Sequence, residues 1–308
     1  MSKTYDINWR RFIRLAVVAL TGIVVVYLVL QTLVAGIYVY FLSHPGCIVA
    51  PVSPPDYPPH DEIILQNADG LRLRAWYYPP QNGVALLALG GPGGSLGSKL
   101  PPVKFLLDAG YGILQIDNRN CALDQANRPG GAAAPVTIGA REILDAQAGM
   151  EWLLARPEVQ KVGATGFSMG GATAIMTAAR HPEISAVVAD GGYYNIGLDF
   201  VEPEKSKPVL ETLFLYTVTG FHWAVTGVNP FKVSPVEDLP KISPRPVLLI
   251  YGDREIHSGR GDIQYAAARE PKELWIVPGG THGTNHIVAQ QEYERRVLAF
   301  LEQAFKQP

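Results

Sequence analysis

The feature that most restricts how this chain can fold is an apolar run of 28 residues, Leu15 to Leu42, without a single charged side chain. The core of a bilayer takes about 20 apolar residues in an α-helix, and a lone segment in lipid must satisfy its own backbone hydrogen bonds. The run therefore predicts a transmembrane helix at residues 15–42. A helix in a protein core rarely runs this far without a polar face, which argues against a buried core helix.

A cleaved signal peptide is the other alternative for this segment. Its apolar region normally has about 7–15 residues and ends at a cleavage site of small residues. Here the apolar run is longer, and the nearest candidate site, residues 48–50 (IVA), is a poor match followed by Pro51. The transmembrane interpretation is preferred for these two reasons.

Basic residues lie on only one side of the apolar run. Four precede it and the next one along the chain is Arg72; the four are Lys3, Arg10, Arg11 and Arg14. Because positive residues stay on the cytoplasmic side of a membrane, we predict a single-pass protein. Its N-terminal tail, residues 1–14, is cytoplasmic, and the large domain at residues 60–308 is on the outer (periplasmic or extracellular) side.

Six prolines occur between the apolar run and the domain, at positions 45, 51, 54, 55, 58 and 59. Proline-rich linkers are stiff and extended. We therefore predict that residues 43–59 form a stalk that holds the domain away from the membrane.

The composition excludes several classes of protein. The chain has 308 residues, of which 47% are apolar and 18% charged, so it can bury a core and is not disordered. A net charge of −2 without long runs of either sign argues against a nucleic-acid partner. Two cysteines, Cys47 and Cys121, are too few for a disulfide scaffold, and no Cys/His spacing suits zinc. We expect no metal and no organic cofactor.

Short apolar runs alternate with helical patterns through the large domain. Runs that are buried on both faces and separated by helices are typical of a mostly parallel sheet covered by helices. The sequence therefore predicts an α/β fold. The predicted strands are Glu62–Leu65, Leu71–Tyr78, Val84–Leu89, Gly112–Ile116, Val162–Phe167, Ser185–Ala189, Val247–Tyr251 and Leu274–Val277.

The strongest motif is GFSMG at residues 166–170, which fits the pattern GxSxG. It follows an apolar strand directly and precedes a helix of small residues. The mechanism needs this context, because the serine must sit on a sharp turn at a helix N-terminus. We predict that Ser168 is a nucleophile; the alternative is a glycine-rich turn with a passive serine.

On this motif, together with the segments Gly90–Gly94, Asp117–Arg119 and Gly279–Gly283, the chain resembles the α/β-hydrolases, in particular membrane-associated serine hydrolases of the esterase, lipase or serine aminopeptidase-like type. The resemblance spans about residues 60–305. It implies an α/β-hydrolase fold, with a lid inserted in the sheet, and a Ser-His-acid triad. In one loop the chain departs from the family pattern, since residues 120–124 (NCALD) stand where relatives usually have a glycine-rich stretch.

The base of a triad on this fold follows the serine and the acid in the chain. The resemblance points to His282, in the loop GGTHG after the last predicted strand. His286 is the alternative. For the acid, relatives usually show Gly-x-x-Asp after the preceding strand.

Position four of that pattern is occupied by Glu255. Glutamate can orient an imidazole as aspartate does, so we predict Glu255 as the acid. Asp253 in the same loop is the first alternative, and Asp190 at the end of an earlier strand is the second.

An oxyanion hole needs two backbone donors. The N–H of Met169, just after the nucleophile, is the first. The second is expected in the glycine-rich loop after Val84–Leu89, and Gly91 is preferred because Pro92 has no N–H. The alternative for this loop is a plain tight turn.

Residues 193–240 do not resemble sheet, and we predict a lid insertion there. Eight aromatic residues lie within 193–231: Tyr193, Tyr194, Phe200, Phe214, Tyr216, Phe221, Trp223 and Phe231. They are expected to form an acyl pocket over Ser168. Alternatively, they form the core of a small cap.

Together these features predict a membrane-anchored serine hydrolase that cleaves an acyl ester or thioester, with a small-molecule or lipid-like acyl substrate. One alternative is a peptidase or amidase of the same fold. Another is a non-catalytic binding protein on a hydrolase fold. The sequence carries no signal for an oligomeric state.

Overall fold

The computed structural model describes residues 9–47, 53–92, 96–97, 101–124, 133–201 and 208–306, except for the side chains of 200 and 201. Eight strands form one sheet. Their bounds are β1 Asp61–Gln66, β2 Arg72–Tyr78, β3 Val84–Leu89, β4 Gly112–Ile116, β5 Lys161–Phe167, β6 Ile184–Asp190, β7 Val247–Gly252 and β8 Lys272–Val277.

The sheet is mostly parallel, in the order β1-β2-β4-β3-β5-β6-β7-β8. Strand β2 is antiparallel to both of its neighbours, and every pair from β4 to β8 is parallel. The strands β3, β4 and β7 are buried along their whole length, which explains their uninterrupted apolar sequences.

Ten α-helices accompany the sheet in the described residues. They are α1 Trp9–Ser43, α2 Lys104–Asp108, α3 Glu142–Leu154, α4 Met169–Arg180, α5 Ile196–Val201, α6 Val209–Thr226, α7 Pro235–Asp238, α8 Gly261–Ala267, α9 Asn285–Val288 and α10 Gln290–Lys306. One apolar cluster packs α3 and α4 on one face of the sheet, and another packs α2 and α10 on the opposite face. The predicted α/β architecture, with helices on both faces, is confirmed.

The parallel strands bring three loops to one edge of the sheet. Strand β5 ends at Phe167, β7 at Gly252 and β8 at Val277. Because the carboxyl ends of parallel strands lie at the same edge, the loops that follow them meet there. Ser168, Glu255 and His282 lie in these three loops.

Helix α1 includes the predicted transmembrane segment and extends it at both ends. Its most apolar stretch has a mean hydropathy of 2.6, so it is the one helix among the described residues that is long and apolar enough to span a membrane. In its second half, Ala35 and Val39 are buried against α6. The second half of α1 is therefore packed against another helix, which the sequence did not predict.

The segment after α1 differs from the predicted stalk at residues 43–59. The carbonyl of Ser43 accepts a hydrogen bond from the Val136 N–H at 2.7 Å, and Asn120 donates to the Pro45 carbonyl at 2.7 Å. Further along, the ring of Tyr57 packs edge-on against Tyr78. The described parts of the segment thus lie on the domain and do not hold it at a distance; residues 48–52 lie outside the description.

A disulfide bond between Cys47 and Cys121 fastens the same segment to the domain. Both cysteines of the chain are used in it. Cys121 belongs to residues 120–124, the loop in which the chain departs from the family pattern. This loop therefore serves as the attachment point for the segment that follows α1.

Candidate active site

The turn between β5 and α4 carries Ser168 in a backbone conformation that side chains rarely adopt, with φ 55° and ψ −120°. A Cβ on Gly166 would overlap the Gly170 carbonyl, and one on Gly170 would overlap the Leu89 carbonyl. Close backbone approach, rather than a positive φ, explains these two glycines of the motif. They allow the sharp turn that exposes the serine.

Three side chains form a hydrogen-bonded chain at this edge of the sheet. The Nε2 atom of His282 lies 3.0 Å from the Ser168 Oγ, and its Nδ1 atom lies 2.9 Å from the Glu255 Oε2. A carboxylate only accepts hydrogen bonds, so Nδ1 carries the proton and Nε2 has a free lone pair. This arrangement lets His282 take the proton of the serine hydroxyl.

Glu255 is buried and held from two further directions. Its Oε1 atom accepts a hydrogen bond from the Gly252 N–H at 2.8 Å and another from the Asn285 Nδ2 at 2.9 Å. Burial raises the pKa of Glu255, but the hydrogen bonds from His282, Gly252 and Asn285 outweigh it and lower the pKa below its ordinary value. The group is therefore ionised at neutral pH, as an orienting acid must be.

The two alternative acids make their hydrogen bonds elsewhere. Asp253 is exposed and accepts from the Gly279 N–H at 2.9 Å. Asp190 is buried and accepts from Asn285 at 2.7 Å and from the Tyr293 hydroxyl at 3.0 Å. Burial raises the pKa of Asp190 to about 7, although both hydrogen bonds oppose the shift.

The alternative base, His286, is also turned to other partners. Its Nε2 atom lies 3.1 Å from the Glu294 Oε1, and its ring stacks on Phe105. The structure therefore brings His282, and not His286, to the serine.

Two residues support the site without having been predicted from the sequence. Asn285 Nδ2 lies within hydrogen-bond distance of both Asp190 and Glu255. Gly191 has a φ of 63°, and a Cβ there would come within 3.0 Å of the His282 Nδ1. The glycine pair after a buried strand was a detectable signal for Gly191, whereas nothing in the local sequence marks Asn285.

The two predicted oxyanion donors flank the serine. Met169 begins α4, so its N–H is one of the free donors of a helix N-terminus. Gly91 lies beside the serine, since a Cβ there would be 3.7 Å from the Ser168 Cβ. Asn118 fixes this turn by donating at 3.0 Å to the carbonyls of Gly91 and Pro92. Residues 93–95 of the glycine-rich loop lie outside the description.

The segment between β6 and β7, where we predicted a lid at 193–240, is helical in its described part and contains α5, α6 and α7. Phe214 and Phe221 of α6 pack against Ala35 and Val39 of α1. These two aromatic residues thus pack against α1, and not over Ser168 as predicted. Phe200 has no described side chain.

A family model described as the α/β-hydrolase fold matches residues 85–227. The structure of the Pyrococcus furiosus esterase Pf2001 superposes with a TM-score of 0.63 and 23% identity, over 84% of this chain and 98% of that one. The chain has the α/β-hydrolase fold. The agreement covers the β3–α6 region in sequence and most of the described fold in structure.

Other proteins that are similar to this chain cover most of its length. An uncharacterized protein of Pseudomonas aeruginosa, PA2218, is 25% identical over 72% of this chain and 75% of its own. The α/β-hydrolase domain-containing protein WAV2 of Arabidopsis thaliana is 26% identical over 79% of each chain. A dienelactone hydrolase of Anabaena variabilis superposes with a TM-score of 0.53 and 19% identity, over 79% of this chain and 98% of that one.

Proposed function

We propose that this α/β-hydrolase is a serine hydrolase that cleaves an acyl ester or thioester. The observation that carries the proposal is the hydrogen-bonded chain from Ser168 through His282 to Glu255. In the first half-reaction His282 takes the hydroxyl proton, and the serine oxygen attacks the acyl carbonyl. The alcohol or thiol then leaves with that proton. In the second half-reaction water, deprotonated by His282, releases the acid and restores the serine.

The negative charge that develops on the carbonyl oxygen requires donors in place before the reaction. The backbone N–H groups of Met169 and Gly91 are proposed for this role, and their position on either side of Ser168 supports it. Esters and thioesters are favoured over amides because their leaving groups need less help from a proton. The names of two structural neighbours, an esterase and a dienelactone hydrolase, agree with this choice.

A panel of acyl p-nitrophenyl esters of rising chain length, each paired with the p-nitroanilide of the same acid, tests the function. We expect ester hydrolysis at a turnover at least about 100-fold above that of the matched anilide, together with covalent labelling by a fluorophosphonate. Faster anilide cleavage would make the protein a peptidase or amidase. Failure of every substrate together with absence of labelling would support a binding protein.

We propose in addition that α1 anchors the protein in a membrane with the domain on the outer side. The basic residues Arg10, Arg11 and Arg14 at the start of α1 support a cytoplasmic N-terminus. The bond between Cys47 and Cys121 supports the orientation independently, since disulfides persist in oxidising compartments outside the cytosol.

Protease treatment of sealed, right-side-out vesicles tests this orientation. We expect the domain to be digested while the first part of α1 is protected, and thiol reagents to label Cys47 and Cys121 only after reduction. Protection of the domain until the vesicles are lysed, with labelling before reduction, would reverse the orientation.

A further inference from the structure

Helix α6 of the β6–β7 insertion runs beside α1 in the same direction. The Tyr27 hydroxyl donates to the Leu210 carbonyl at 3.4 Å, and Gln31 Nε2 donates to the Thr217 Oγ1 at 3.0 Å. Residue numbers rise together along both helices, so the pair is parallel. The first turn of α6 therefore lies beside the middle of the proposed membrane span.

An apolar seam continues this contact toward the domain. Ala35 and Val39 of α1 are fully buried against Val218, with Phe214 and Phe221 packed around them. The two helices are thus held together by apolar packing as well as by hydrogen bonds. Moving α6 away from α1 would expose this seam to solvent.

The outer surface of α6 is itself apolar. Its exposed large side chains are Val209, Leu210, Leu213, Tyr216, Trp223 and Val225. Val209 is 82% exposed, and Glu211 in the first turn is the one Asp, Glu, Lys or Arg of the helix. A soluble domain rarely exposes such a continuous surface unless it binds something apolar. This surface is continuous with the exposed apolar surface of α1.

The depth of α6 in the bilayer follows from the position along α1 of the residue that it contacts. If the span begins at Leu15 and is untilted, Tyr27 lies about 18 Å into a hydrocarbon core about 30 Å thick. The first turn of α6, which contacts Tyr27, would then be about 12 Å below the outer boundary of the core, a depth at which the exposed carboxylate of Glu211 in that turn opposes insertion. Tyr216 would reach that boundary and Trp223 the headgroup region, where interfacial aromatic residues collect.

We propose that α6 is a second membrane-inserted element, with its first two turns in the outer leaflet and the bilayer itself covering its exposed face. The inference rests on the proposed anchor. It implies that the insertion between β6 and β7 is docked on the membrane surface. A buried apolar cluster contains both Met169 and, at its edge, Leu42 of α1, so the end of α1 is packed directly onto the edge of the sheet that carries the site.

Depth-dependent quenching in the full-length protein tests the inference. Because both native cysteines are paired, one introduced cysteine gives a single free thiol for a fluorescent label. Three single-cysteine variants are made: Leu213→Cys on α6, Leu20→Cys on α1 and Leu154→Cys at the end of α3. Leu154 is the matched control, because it is 43% exposed against 40% for Leu213 and lies at the opposite edge of the sheet.

Each labelled variant is reconstituted into phosphatidylcholine vesicles with or without brominated acyl chains. We expect bromine to quench the labels at positions 213 and 20 at least twofold and to leave the label at 154 unchanged. Quenching at 20 but not at 213 would overturn the inference while the anchor stands. Quenching at neither position would overturn the anchor as well.

Two further readouts keep the alternatives distinct. If a second copy of the chain covers α6, the label at 213 would escape bromine and instead self-quench as protein density in the vesicles rises, which would also overturn the inference. Fluorophosphonate labelling of the same variants reports on the catalytic proposal separately. Its absence in the unmodified protein would reject that proposal without affecting the result for α6.

Discussion

Ser168→Ala is expected to abolish labelling by a fluorophosphonate and to lower ester turnover by about six orders of magnitude. The reagent bonds to the serine oxygen, which alanine lacks. The remaining catalysis would come from the donors of Met169 and Gly91 alone. Gel-based labelling and a p-nitrophenyl ester assay on the same preparations measure both effects.

The fold should survive this change. The main chain of Ser168 donates to the Asp190 carbonyl at 2.8 Å and accepts from the Ala172 N–H at 3.1 Å, and alanine keeps both hydrogen bonds. Its positive φ is equally unfavourable for serine and alanine. We therefore expect the melting temperature to stay within a few degrees, because the substitution removes little packing.

Ser185→Ala provides the matched control. Ser185 is the second residue of β6 and lies at the end of the strand that is far from the site. This variant should label and turn over substrate like the unmodified protein. Undiminished labelling of Ser168→Ala would show that another residue reacts, and Ser168 would lose the role of nucleophile.

The strands of the sheet were predictable because each is marked by a short stretch of its own sequence. Strands β3 and β4 have the predicted bounds Val84–Leu89 and Gly112–Ile116, since uninterrupted apolar runs next to glycine allow few other structures. The position of Ser168 between an apolar strand and a helix of small residues is equally local. The same holds for His282 in its glycine-rich loop.

The contacts of α1 and of the segment after it were not predictable in this way. Cys47 and Cys121 are 74 residues apart, and Gln31 and Thr217 are 186 apart. No periodicity in the sequence links the two residues of such a pair, because each residue follows the pattern of the helix or loop in which it lies. The prolines of the predicted stalk do stiffen the chain, but only tertiary contacts decide whether a stiff segment points outward or lies on the domain.

The supporting residues of the site show the same limit. Asn285 matters through the two carboxylates that it joins: Asp190 at the end of β6 and Glu255 in the loop after β7. In sequence it is an ordinary polar residue at the start of a short helix. Glu255 was reached by its spacing from Gly252, which is a local property, although its hydrogen bond to His282 is not.

Glu255→Gln is expected to lower ester turnover by about four orders of magnitude. The amide oxygen can replace Oε1 as acceptor from Gly252 and Asn285, which leaves the amide NH₂ facing His282. That group donates, so Nδ1 would become the acceptor and the proton would move to Nε2. A protonated Nε2 cannot take the proton of Ser168.

Asp253→Asn is the matched control, two residues away in the same turn and with the same chemical change. Asp253 accepts one hydrogen bond, from the Gly279 N–H, and an asparagine oxygen can accept it equally well. Its loss should cost less than about tenfold, as expected for a carboxylate that does not orient the imidazole. Since both variants keep the shape of the loop, the ratio of their turnover numbers isolates the contact with His282. An inactive Asp253→Asn beside an active Glu255→Gln would move the acid to Asp253, and would require the turn after β7 to shift by two residues when substrate binds.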